Sequence, residues 1–310
     1  MVSTLEAMDD EAIIVTYIRH FWSSKYGSTR EKELYNQIKK YVRNKTQALE
    51  FSTELAENAK LYSAMLNPSH ELWQTYGPTA RDHMNTLNLL RMIQIRPLVL
   101  SVLSKFSTPE IQKTLRLMVS WVVRFLIVGG LGGGTLETHY SDRAKEINEG
   151  TITTANQLSA KLKNIVPTDA KFRDEFSTAT VSTQYLARYY LRVLEKQVRG
   201  EDHPEFIPID NTEVVNLEHI LPQSPSTLWN HMPEEERALF ARRMGNLTLL
   251  VTPINTEAGN DSFDYKKHFY LESQYLLTKK LADNASWNVE NIVNRQKEMA
   301  ILAAKAWPLK

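Results

Sequence analysis

Apolar side chains recur at helical spacing through most of the first two hundred positions. Ile13, Ile14, Tyr17, Ile18, Phe21 and Trp22 fall on one face of a 3.6-residue period. Gly27-Ser28-Thr29 then stops that helix, with Ser28 or Thr29 as the expected N-cap of the next. Leu34, Ile38 and Tyr41 or Val42 form the stripe of a second helix over 30–42. Further helices are expected over 47–66, 79–95, from Thr108 through 128, and over 138–149, 152–164, 168–176 and 182–199. Thr108-Pro109 reads as a cap followed by a first-turn proline, and Pro97 starts or kinks another helix.

The texture changes after a polar stretch at 200–210 that carries two prolines and a glycine, the expected domain boundary. Residues 213–220 and 246–251 have strand character, with a helix over 233–243 between them. Helices over 263–280 and 289–307 follow. The expected architecture is mainly α with a small α+β part: a helical domain over 1–200 and a second domain over 201–310.

Composition narrows the chemistry. The 310 residues are 42% hydrophobic and 24% charged, an ordinary globular balance that can bury a core. No cysteine is present, which excludes disulfides, thiol nucleophiles and cysteine-held zinc. A metal would need His, Asn, Asp or Glu, and oxygen ligands favour a hard cation such as Mg2+ or Mn2+. The most apolar run, Leu115–Leu131, is broken by Arg116, Ser120 and Arg124 and reads as a buried helix, not a membrane span. The acidic opening Met1–Asp10 lacks the pattern of a signal peptide, so a soluble cytoplasmic protein is expected. Net charge is +1, so any nucleic-acid surface must come from local clusters.

Candidate chemistry centres on Leu217-Glu218-His219-Ile220-Leu221-Pro222-Gln223. Pro222 cannot continue a central strand, so the chain turns just after His219 and places Glu218 and His219 at a strand end. A carboxylate binds divalent cations, and a neutral imidazole with a pKa of about 6.5 accepts a proton from water. Such a pair alone is more often a satisfied structural histidine. Downstream, Gly245-Asn246-Leu-Thr-Leu-Leu250 is a short β-rich run, followed by Asn255 and by Gly259-Asn260-Asp-Ser-Phe263-Asp-Tyr-Lys266. An asparagine amide bridges loops or gives its oxygen to a hard cation, and it is equally common in turns.

In this order the elements resemble the C-terminal HNH domain of GmrSD-type restriction endonucleases, which also occurs in related phage-defence proteins including the phosphorothioate-linked Ssp type. The motif match spans about residues 213–270. The resemblance implies a ββα-metal nuclease fold and a Mg2+-dependent (or Mn2+-dependent) DNA endonuclease or nickase of an anti-phage restriction system. It makes His219 the general base and Glu218 an acidic metal ligand. Asn246 becomes the brace of the loop holding the histidine, and Asn255 the second ligand, with Asn260 competing for that role. Proteins of this type also carry an N-terminal nucleotide-binding sensor domain with an Asp-Gly-Gln-Arg-like motif. That motif is not found here, so the sensor is expected outside this chain, as a missing domain or a separate subunit. A non-catalytic module with a vestigial HNH fold and an RNA nuclease are the alternatives.

Basic side chains supply the expected DNA contacts: Arg242 and Arg243 in the insertion, and Lys266 and Lys267 after Phe263. Lys266 matches the Phe-x-x-Lys of the resemblance. Lys279 and Lys280 read as a solvated helix end. A second cluster, Arg30, Lys32, Lys39, Lys40, Arg43 and Lys45 with Tyr35 and Tyr41, fits a DNA-facing surface or a solvated helix equally well. The glycine-rich stretch 128–137 follows a helix and lacks Gly-Lys-Ser/Thr, so it reads as a connection between helices, not a phosphate loop.

Overall fold

The computed structural model describes residues 11–200 and 211–310. The readings made on 1–10 and on the expected boundary segment 201–210 lie outside the described residues. The chain divides into two compact units, one of residues 1–167 with 309–310 and one of 168–308. The sequence placed the division at 200. Two helices, Asp169–Phe176 and Gln184–Arg199, are thus grouped with the second unit, because both pack on the last helix, Val289–Ala306.

The first unit is built of helices: α1 (Glu11–Tyr26), α2 (Glu31–Tyr41), α3 (Lys45–Leu66), α4 (Leu72–Tyr76), α5 (Pro78–Leu89), α6 (Arg96–Lys105), α7 (Thr108–Val128), α8 (Gly133–Asn148) and α9 (Ala155–Leu162). The apolar run becomes the middle of α7, where every residue from Leu117 to Phe125 is buried. Arg124 is among them, with its guanidinium donating to the Pro167 carbonyl. No helix among the described residues is long and apolar enough to cross a membrane. The helix expected over 79–95 ends at Leu89, where Arg91 takes a positive φ of 54°, and Pro97 opens α6. Gly129 and Gly130, both at positive φ, end α7. The glycine-rich stretch is thus a helix connection.

The second unit contains α10 (Asp169–Phe176), α11 (Gln184–Arg199), β1 (Val215–His219), α12 (Glu234–Phe240), β2 (Leu247–Val251), α13 (Thr252–Ala258), α14 (Phe263–Glu272), α15 (Leu276–Lys279) and α16 (Val289–Ala306). The two strands are antiparallel, pairing Val215 with Val251 through His219 with Leu247. The architecture is mainly helical with one small sheet among the described residues. The helix expected over 263–280 breaks at 273–275. The buried Glu195 carboxylate accepts the N–H groups of Leu276 and Leu277 at 2.7 and 3.0 Å, and so restarts the chain as α15.

Candidate active site

The register of the hairpin decides what each residue at the end of β1 can reach. Ile220 N–H donates to Asn246 O, and Thr252 N–H to Val214 O. The even-numbered residues of β1 therefore bond β2 through their backbone, and the carbonyls of Leu217 and His219 face the open edge. That edge is covered by side chains of the helices that follow β2. Asn255 Nδ2 donates to Leu217 O at 3.0 Å, and Lys266 Nζ to His219 O at 3.1 Å and to Ile220 O at 3.3 Å.

Neighbouring strand side chains diverge, and Glu218 and His219 do so here. Glu218 is buried, and its Oε1 accepts from Lys266 Nζ and from the Tyr270 hydroxyl, both at 2.8 Å. Burial raises the Glu218 carboxyl above its ordinary range, while Lys266 and Tyr270 oppose that rise. The same carboxylate and its own burial push Tyr270 well above an ordinary phenol. His219 is half-buried. Desolvation, with positive potential from Lys266 and Arg242, lowers its imidazole to about 4, so it is neutral at pH 7. Its Nε2 lies 2.7 Å from the amide nitrogen of the exposed Gln223, which donates to it when the ring proton is on Nδ1.

The turn after His219 is clamped by Asn246. Its Oδ1 accepts Leu221 N–H at 2.8 Å and the Trp287 indole N–H at 3.0 Å. Its Nδ2 donates to Leu221 O at 2.8 Å and to Ala241 O at 2.9 Å. All four capacities of this fully buried amide are met. The preceding Gly245 allows the approach of α16, since a Cβ there would lie 2.2 Å from Ile292 O.

The four expected DNA-contacting cations separate. Arg242 is exposed and contributes to the potential at His219. Lys266 is a correction: its side chain is 0% exposed and cannot touch a phosphate. Phe263, Lys266 and Tyr270 share one stripe of α14, and that stripe faces inward. Lys267 donates to Asn284 O at 2.8 Å, and Arg243 to Gln296 and to Ser177 O, so both partly buried cations also brace the unit. Asn260 is exposed at the turn before α14, its carbonyl accepting from Ser226 Oγ. Sequence reasoning missed Tyr270, Gln223 and Trp287. Gln223 stood within the quoted motif, whereas Tyr270 needed the inward stripe of α14 to be seen.

Among the described residues no group of three or more His, Asp or Glu side chains gathers. A caged ion is therefore not built. A magnesium-like ion needs only one or two protein oxygens, with water and phosphate completing the shell. Of the two expected ligands, Asn255 is fixed by its amide nitrogen on Leu217 O, and Glu218 is buried and held through one oxygen by Lys266 and Tyr270.

Residues 166–302 match the family model of the GmrSD restriction endonucleases, C-terminal domain. The chain carries a GmrSD-type C-terminal domain. The match spans nearly the whole second unit and includes every residue of the candidate site. A search of curated proteins finds no match to the chain. The GmrSD-type domain points to a nuclease role in restriction, with DNA as substrate.

Proposed function

We propose that the second unit is an HNH-type, metal-dependent DNA endonuclease whose elementary act is to nick one strand. The observation that carries the reading is the geometry at His219: a half-buried imidazole at a strand end, beside a turn that Asn246 clamps on both backbone groups of Leu221. A base must be unprotonated at working pH and held in place. His219 would take the proton of the attacking water. Gln223 covers Nε2 in the resting site and is the group that substrate or water displaces. Arg242 would approach a phosphate of the strand being cut.

Glu218 and Asn255 would hold the cation, Mg2+ or Mn2+, and Asn255 is preferred over Asn260 because its amide is anchored on β1. A bound divalent cation supplies charge for the developing oxyanions of phosphodiester hydrolysis. The ββα-metal fold is supported by the order β1, insertion, β2, α13 and by the packing of α13 on both strands. We also propose that the protein works in the cytoplasm as part of an anti-phage system, with a nucleotide-binding sensor supplied elsewhere.

The test is relaxation of supercoiled plasmid with Mg2+ or Mn2+, with and without EDTA, and with an RNA substrate in parallel. His219→Ala is expected to lower the nicking rate by about 10²- to 10⁴-fold. An unchanged rate in this variant would remove His219 from the chemistry. Inert wild type with every metal would favour the binding-module reading, and cleavage of RNA alone would move the substrate class.

A further inference from the structure

Outside the candidate site, the most concentrated positive charge with exposed side chains lies at α2 of the first unit. Six cations and two carboxylates lie between Arg30 and Lys45, a net of +4 in a chain of net +1. All six cations are exposed. Leu34 is the one fully buried side chain of α2, and Lys32, Tyr35 and Lys39 share the opposite side of the helix, with Lys40 beside them.

An ordinary solvated helix neutralises its lysines with carboxylates three or four residues away. Other exposed helices of this chain do so: Lys145 with Glu149, and Lys171 with Glu175. On α2 the acids are out of register. At those spacings Glu31 and Glu33 meet Leu34, Tyr35, Asn36 and Gln37, and Glu33 also Arg30, but neither meets a lysine. Both sit in the first turn, where they suit the helix dipole. Among the described residues, none of the six cations forms an ion pair with a carboxylate. Tyr35, at 71%, is the most exposed large apolar side chain among the described residues, with Lys39 Nζ 6.0 Å from its ring centre. Unpaired like charges around an uncovered aromatic ring cost stability in a free helix and gain it against a polyanion.

We propose that α2, with Arg30, Arg43 and Lys45 at its ends, is a sequence-independent DNA-binding surface, in which the lysines contact backbone phosphates and Tyr35 packs on a sugar or an unpaired base. The choice of DNA among polyanions rests on the nuclease reading of the second unit, whereas the binding test does not depend on cleavage.

The experiment is fluorescence anisotropy of the full chain with a short labelled duplex in EDTA, titrated between about 50 and 200 mM salt. The triple variant Lys32→Gln/Lys39→Gln/Lys40→Gln is expected to lose about tenfold or more in affinity. Its slope of log affinity on log salt should fall by about 2 to 3, near one unit per phosphate contact. Tyr35→Ala should weaken binding and leave the slope unchanged. A control, Lys279→Gln/Lys280→Gln/Lys305→Gln, has the same net charge at exposed positions and should bind like wild type. Cleavage plays no part in this measurement, so failure of the nuclease reading leaves its result standing. The proposal is overturned if the α2 variant keeps the wild-type affinity and slope, if the control loses as much, or if α2 binds anionic vesicles and not DNA.

Discussion

The two units are stabilised by different means. In the first, apolar packing is the larger part: α7 buries nine consecutive residues, seven of them apolar, and Tyr17, Phe21 and Trp22 of α1 are buried with residues of α6 and α8. In the second, buried polar side chains tie one element to the backbone of another. Asn246 holds Leu221, Gln296 holds Gly245 N–H and the carbonyls of Phe176 and Ala179, and Lys266 holds two carbonyls and Glu218. Apolar packing tolerates small shifts, while a fully bonded amide fixes its partners to within a hydrogen bond's tolerance. The candidate site sits where such clamps converge, as the base proposed at His219 would require.

The largest expected effect falls on the buried ion pair. Lys266→Met would leave Glu218 buried without its cation and bare two carbonyls. The second unit should lose about 3–5 kcal/mol, read by urea unfolding or by hydrogen exchange of the β1 and β2 amides. The double variant Glu218→Leu/Lys266→Met should recover part of that loss, since no lone charge remains, though the His219 and Ile220 carbonyls stay unpaired. A single variant as stable as wild type would mean that this ion pair carries no net weight in the second unit.

Periodicity made most helices of both units legible, because burial of a stripe is written into spacing, but it showed neither α13 nor the break between α14 and α15. The hairpin was legible too, from β-rich runs and Pro222. The inward turn of Lys266 was not. A lysine in a motif reads as a surface cation until its stripe is seen to include Phe263 and Tyr270. Nor was the division at 167/168 legible, since α10 and α11 have helical patterns like those before them, and only their packing on α16 assigns them. Glu195 shows the same limit: nothing local says that it will cap α15, eighty residues on.

A smaller effect is expected at Asn246. Alanine there would leave Leu221 N–H and C=O, Ala241 O and the Trp287 indole without their partner, at a cost of about 3 kcal/mol once water enters. Asn246→Asp separates the two halves of the amide. It keeps the acceptor for Leu221 N–H and Trp287, yet sets a carboxylate against two carbonyls, so it should also destabilise. If Asp were neutral, the donor half of the clamp would carry no weight.

The smallest effect tests the first unit by the same standard, because it too holds buried polar groups. His20 is fully buried, with Nδ1 2.8 Å from the Tyr62 hydroxyl and Nε2 3.0 Å from the Arg19 guanidinium, which donates to it. Burial first, then Arg19 and Arg96, lower its imidazole from 6.5 to about 3. The unfolded chain therefore binds a proton that the folded one refuses. The stability His20 confers is complete above about pH 6.5 and is lost as pH falls toward 3. At pH 5 the loss is about 2 kcal/mol, at 1.36 kcal/mol for each unit below the unfolded value. Hydrogen exchange of the α1 and α3 amides at pH 7 and pH 5, corrected for intrinsic rates, reads this directly. In His20→Gln that part of the pH dependence should vanish. If it persists unchanged, His20 is not the proton-refusing group of the first unit, and the contrast between a carbon-packed unit and a polar-clamped one becomes sharper still.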